Sequence, residues 1–278
     1  MRSLVQPGPI HPERIESYEG RSQRLEFPLQ AGLSLNDALT RPLIDAGMKS
    51  AALVFHGGAL APFSYVMPGP PDNASHVAYF SAPRSPPGET AVEIANATFG
   101  WRDGAPFVHC HGAWVEEGTH RRGGHMLPHE TMVARETIVH AWALPDIEIR
   151  AEPDTETNFT LFHPIAASPA PDGDRTIVAR IRPNEDITEA IEAIARRHHM
   201  YAAIVRGSLG SLIGAHFTDG LKVADHATEV LVLSGHVHNG EAVLDMLVVD
   251  MAGHAHEGRL IRGDNPVCIT FELVLEAT

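Results

Sequence analysis

The chain has 278 residues and 44% hydrophobic content, a globular composition long enough for two domains of about 130 residues each. Its net charge is −14, with 21 Lys and Arg against 35 Asp and Glu, so nucleic acid and anionic membrane are not expected as main partners. The two cysteines, Cys110 and Cys268, make no disulfide framework; with no apolar run of signal-peptide or membrane-span length, this predicts a soluble cytoplasmic protein.

In chain order, Ser34-Leu-Asn-Asp-Ala-Leu starts an amphipathic helix that ends near Gly47, with Pro42 placed to kink or shorten it. A small-residue strand follows at Ala51–Phe55, then a Pro- and Gly-rich loop around Met67–Gly88. Alternating apolar residues flank Asp103-Gly104, a dipeptide suited to a type I′ hairpin because both central positions need φ > 0. Ala151–Asp174 reads as a linker, although Phe159–Phe162 can form a short strand against the first half. Asp186–Arg197 is an amphipathic helix with Asp186 as cap, Glu189 three residues on, and Arg196 and Arg197 at its C-terminal dipole. Ala202–Val205 is a second small-residue strand, and Asn239-Gly240 a second hairpin turn.

These elements form two copies of one pattern. Val92–His109 overlays Thr228–Asp245 at an offset of 136, with Glu93 on Glu229. Gly124–Leu127 overlays Gly258–Ile261 at an offset of 134, which implies a two-residue deletion. The expected fold is α+β: two tandem copies, each a mostly antiparallel sheet with a packed helix, at residues 20–150 and 175–278, joined by a linker at 151–174.

Histidine, at 18 residues, is the compositional outlier. In a strand, residues two apart share a face, so His109 and His111 present two imidazoles side by side while Cys110 points away. His125, behind Gly123-Gly124, completes a three-histidine set for a divalent metal, zinc first, with iron or nickel as alternatives. The hairpin register sets Thr98 opposite His109 and Asn96 opposite His111, where they can orient the imidazoles.

Three ligands leave a position open for hydrolysis or hydration chemistry. A closed site needs a fourth ligand, for which His56, His120, His129 and His140 are candidates. Glu116, Glu117, Glu130 and Glu136 are candidates for a general base, each more simply read as a solvated surface residue. His236, His238, His254 and His256 make a weaker second metal candidate. His198-His199 fits a helix C-terminus. Arg206–Gly210 lacks the Lys-Ser/Thr of a phosphate loop and is assigned as a turn.

His109-Cys110-His111, Gly118 and Gly123-Gly124-His125 come in that order in the first copy. Arg182–Ile187, Gly207–Gly210 and the tail Pro266–Leu275 come in the second. Together they resemble the PPC domain (plant and prokaryote conserved domain) over nearly the whole chain. The resemblance implies a compact α+β fold that trimerises, and a metal held by these histidines in some prokaryotic members. Plant members bind A·T-rich DNA mainly through an Arg-Gly-Arg-Pro hook, which is absent here. In the second copy the offsets set Asp245, Leu247 and Arg259 on the three histidine positions, so that copy is expected to have lost its metal site.

Three classes of function follow. The leading one is a metal-dependent small-molecule enzyme or binding protein; the others are a DNA-associated regulator and an assembly module. A homo-oligomer, a trimer first, is expected from the resemblance.

Overall fold

The computed structural model describes residues 2–116, 120–167 and 172–278. Leaving aside strands of two or three residues, the first half contains β1 (Ile15–Pro28), α1 (Leu35–Asp45), β2 (Ser50–His56), β3 (Thr90–Arg102), β4 (Ala105–Glu116) and β5 (His120–Met126). It continues with β6 (Ile138–Leu144), β7 (Ile147–Pro153) and β8 (Thr160–Ala166). The second half contains β9 (Asp174–Ile181), α2 (Ile187–Arg197), β10 (Ala202–Val205) and β11 (Leu209–Leu212). Its last strands are β12 (Thr228–His238), β13 (Glu241–Val249), β14 (Ala255–Arg259) and β15 (Val267–Ala277).

One antiparallel order is used twice. In the first half it runs β1–β6–β2–β3–β4–β5. In the second it runs β9–β15–β10–β12–β13–β14. Each helix packs on the matching strand, α1 on β4 and α2 on β13. The fold is thus α+β and mostly antiparallel, with two like halves. β1 joins them: Gln23–Pro28 pairs with β6 and Ile15–Ser22 with β9.

Local chemistry explains the elements. Ser34 caps α1 by accepting from the Asp37 N–H, and Asp186 caps α2 by accepting from the Glu189 N–H. Pro42 lies inside α1 without ending it; the helix runs on to Asp45. Both hairpin turns have φ > 0 at their two central residues: 52° and 76° at Asp103-Gly104, 52° and 82° at Asn239-Gly240.

Each half has its own apolar core. Leu35, Leu39 and Leu43 of α1 bury against Leu53, Phe99 and Trp114; Ile187, Ile191 and Ile194 of α2 bury against Met246 and Phe271. The opposite faces of the two sheets pack on each other through Ile94, Ala113, Leu209, Leu231 and Leu247. Gly123 permits this approach, since a Cβ there would lie 2.6 Å from Val249 Cγ2.

The stretch expected to be a linker is largely ordered strand. Ile147–Pro153 and Thr160–Ala166 form an antiparallel pair, and β7 also meets the end of β3 in parallel at Trp101 and Arg102. The reason is burial: Phe162 joins Ile149, Val178 and Val274 in a cluster between the halves. Residues 168–171 of that stretch lie outside the described residues, as do Glu117 and Gly118.

The register also changes one assignment in the second half. β4–β5 sets His125 opposite His111, and β13–β14 sets Glu257 opposite Leu247. The counterpart of His125 is therefore Glu257, not Arg259: Leu247 and Glu257 are 10 positions apart and His111 and His125 are 14, a difference of four residues, not two. Arg259 is paired with Asp245 at 3.0 Å, and Leu247 is fully buried between the halves.

Candidate metal centre

Strand alternation turns Ala97, Phe99, Val108 and Cys110 toward the α1 core and Asn96, Thr98, His109 and His111 toward the second half. Cys110 is buried, with Sγ 3.6 Å from Met126 Sδ, and burial pushes its thiol pKa up. It is not a ligand. β5 runs beside β4 and brings His125 next to His111. The ligand atoms of His109, His111 and His125 lie within 4.8 Å of one another, the only such group of three or more among the described residues.

The second half fixes these rings. His109 Nδ1 lies 2.7 Å from Glu272 Oε1 on β15, and His111 Nδ1 lies 3.0 Å from the Val230 carbonyl on β12. Both partners only accept, so both Nδ1 atoms carry the proton, and in a neutral ring Nε2 is left as a lone pair. His109 Nε2 and His111 Nε2 then face each other at 3.0 Å, with His125 Nδ1 3.3 Å from His111 Nε2. Glu229 Oε2 lies 2.9 Å from that same His111 Nε2. Lone pairs crowded in this way repel unless a proton on His111 Nε2, directed to Glu229, or a metal ion sits among them. Donors about 2.05 Å from a tetrahedral zinc are themselves about 3.3 Å apart, close to the 3.0 and 3.3 Å of the two pairs that include His111. Glu272 Oε2 is buried with no hydrogen-bond partner among the described residues.

With no metal bound, the electrostatics favour a proton on His111 beside Glu229. Burial lowers the His111 pKa, but the Glu229 carboxylate, its hydrogen bond and the Val230 carbonyl outweigh it, and the net shift is upward. Burial, and then the charges of His109 and His111, push His125 well down.

Other sequence candidates fall elsewhere. Asn96 and Thr98 sit opposite His111 and His109 but do not hold the rings. Asn96 Nδ2 donates to the Ser208 and Val232 carbonyls at 3.0 and 2.8 Å, and Thr98 makes no side-chain hydrogen bond to either histidine. The second half reaches the imidazoles first. His140 bonds Glu26 on an exposed face, His129 lies against Phe107, and His56 and His120 are exposed; none joins the cluster. Glu116 accepts from Tyr65 Oη at 2.6 Å and Trp114 Nε1 at 3.3 Å, while Glu130 and Glu136 are exposed. His254 and His256 both bond Asp250 Oδ2 and, with His236 and His238, form no metal-spaced group among the described residues. Ser208 Oγ serves a turn, donating to the Arg206 carbonyl and accepting from the Val274 N–H.

Glu229 and Glu272 escape the sequence reading. The one signal was the overlay of Glu229 on Glu93, which says nothing of contact with a histidine.

Comparison with known proteins finds likenesses to part of the chain. Residues 169–278 match the family described as the Plants and Prokaryotes Conserved (PCC) domain. The matched residues are the half without the histidine cluster. Bifunctional protein GlmU of Synechococcus sp. (strain JA-2-3B'a(2-13)) is 29% identical over 160 residues, 52% of this chain. The match spans only 25% of that protein's length. Among solved structures, a PPC protein of Pyrococcus horikoshii is 17% identical, with TM-score 0.42, over 52% of this chain and 94% of its own. The metal-containing protein AF0104 of Archaeoglobus fulgidus is 17% identical, with TM-score 0.43, over 52% of this chain and 96% of its own. A protein of Ralstonia eutropha JMP134 named for a conjectured DNA-binding role is 17% identical, with TM-score 0.38, over 52% and 96%. No helix among the described residues is long and apolar enough to cross a membrane.

Proposed function

We propose that the chain is a metal-dependent protein acting on a small molecule, with one divalent ion, zinc first and iron or nickel next, held by His109, His111 and His125. The observation that carries this is the convergence of three histidine ligand atoms, with His109 Nε2 and His111 Nε2 3.0 Å apart while both Nδ1 atoms face acceptors on Glu272 and Val230. A bound divalent ion would supply Lewis acidity at this point. Glu229 is placed to complete the ligand set or to hold a proton beside it. Glu272 orients His109 and raises its basicity. The first half is on this reading a second PCC-like copy, residues 20–150, that keeps the chemistry; the second copy keeps the fold and lends its carboxylates.

The cations that a DNA-associated reading would need are largely engaged. Arg121 is paired with Glu93 and Glu257, Arg196 lies 3.8 Å from Glu192, and Arg197 bonds the Ile15 carbonyl. A trimer of chains remains part of the proposal, and light scattering tests it: a concentration-independent monomer ends it.

Elemental analysis of protein purified without chelator or histidine tag tests the metal. About one metal ion per chain is expected, and none in His109→Ala/His111→Ala. No metal in either protein rejects the reading.

A further inference from the structure

Two segments with no counterpart in the other half meet over the histidines. The loop around Met67–Gly88 brings Phe80 to a ring distance of 5.1 Å from His125, and the hairpin β7–β8 brings Phe162 to 6.5 Å from His109. Phe80 also meets Phe159 at 6.1 Å. Two adjoining cavities of about 70 and 150 Å³ lie beneath these segments, and His109 and His125 line both.

Along the floor, one face of the β3–β4 hairpin carries a graded row. Phe107, His109 and His111 alternate on β4, and Arg102, Gly100 and Thr98 alternate on β3, with Gly100 opposite Phe107 and Thr98 opposite His109. Gly100 makes room for Phe162, since a Cβ there would lie 2.9 Å from Phe162 Cε1. Among the described residues Arg102 is the one Lys or Arg lining either cavity, with its guanidinium 5.3 Å from the Phe107 ring centre; the carboxylates Glu229 and Glu272 line the histidine end. Its nearest carboxylate, Asp103, is 4.0 Å away at the outer limit of an ion pair and is fully exposed.

We infer that this cleft binds a small aromatic carboxylate: the carboxylate on Arg102, the ring among Phe80, Phe107 and Phe162, and a polar group at the far end facing His109 and His125. Arg102 stands four residues along β3 from the position opposite His109, roughly 13 Å at the usual strand rise, which an arginine side chain and one benzene ring span together. Arginine is suited to the carboxylate by its bidentate fork, and a largely apolar cleft with few polar groups is the common form of a small-ligand site. Only the far-end contact rests on the metal reading; the ring and carboxylate contacts do not.

The test is calorimetric titration of the full-length, zinc-loaded chain with 4-hydroxyphenylacetate, and with its amide as the uncharged control. The acid is expected to bind at least tenfold more tightly than the amide. Arg102→Gln should bind the acid as weakly as the wild type binds the amide, with unchanged zinc content. Phe80→Ala should weaken both ligands. Equal binding of the acid by wild type and Arg102→Gln, or no binding at millimolar concentration, overturns the inference. If the chain takes up no metal yet binds the acid in an Arg102-dependent way, the metal reading fails and this one stands.

Discussion

His109 and Glu272 stand on different halves of the chain, yet His109 Nδ1 lies 2.7 Å from Glu272 Oε1. The histidine cluster is therefore a property of the paired halves and not of the first half alone. Carboxylate–histidine contacts of this kind hold a ring in its ligating tautomer.

Removing that contact should weaken the metal without unfolding the protein. Glu272→Ala is expected to lower zinc affinity by about 10- to 100-fold. Competition against a chromophoric chelator measures this, with circular dichroism as the check on folding. An unchanged affinity would remove Glu272 from the centre.

Asn96 should matter for stability more than for metal. Its fully buried amide donates to the Ser208 and Val232 carbonyls and so ties the two halves. Asn96→Ala should cost about 1–3 kcal/mol, the penalty of buried acceptors left short of a donor. Urea unfolding gives the value, and a loss below about 0.5 kcal/mol would show that the bonds are replaced.

A buried ion network predicts the acid response. Arg180 and Arg182 share Asp154 Oδ2 at 2.8 and 2.7 Å, and Glu16 joins them. Burial alone would raise the Glu16 pKa, but His163, Arg180 and Arg182 hold it at about 2, below its ordinary 4.5. A depressed carboxyl pKa stabilises the fold fully above the ordinary value, and that contribution fades as pH falls from 4.5 through about 2. Glu16→Gln should cost about 1.5–3 kcal/mol near neutral pH, as for losing hydrogen bonds to a charged group, and flatten the loss of stability between pH 5 and 2. Thermal melts across that window decide it; parallel pH profiles for the two proteins would contradict the assignment.

Restoring one histidine to the second half should not restore a site. Leu247 is packed among Ile94, Leu209 and Leu231, so Leu247→His buries a polar ring without a partner. About 2–4 kcal/mol of destabilisation is expected, with metal content unchanged. A second equivalent of bound metal would refute the account of that half.

What the sequence shows follows the range of each interaction. The caps at Ser34 and Asp186 and the turns at Asp103-Gly104 and Asn239-Gly240 involve neighbours in the chain, and local chemistry suffices to place them. The shared face of His109 and His111 follows from strand alternation. Glu229 and Glu272 are not readable in this way, because they reach the histidines across a sheet-on-sheet contact between residues more than a hundred positions apart. The same contact explains Asn96, whose face was correct but whose partners lie on the other half. The strand at Thr160–Ala166 was obscured by the Pro-rich stretch after it, since its burial depends on Ile149 and Val178. Glu257 displaced Arg259 because the distance paired strands run before they turn, unlike alternation within a strand, leaves no periodic trace.

The central claim is tested most directly by crystals of the zinc-loaded chain and an anomalous difference map at the zinc edge. One peak per chain is predicted, about 2.0–2.1 Å from His109 Nε2, His111 Nε2 and His125 Nδ1, on the side facing Glu229. No peak among these atoms, or a peak only at Asp250, His254 and His256, would contradict it.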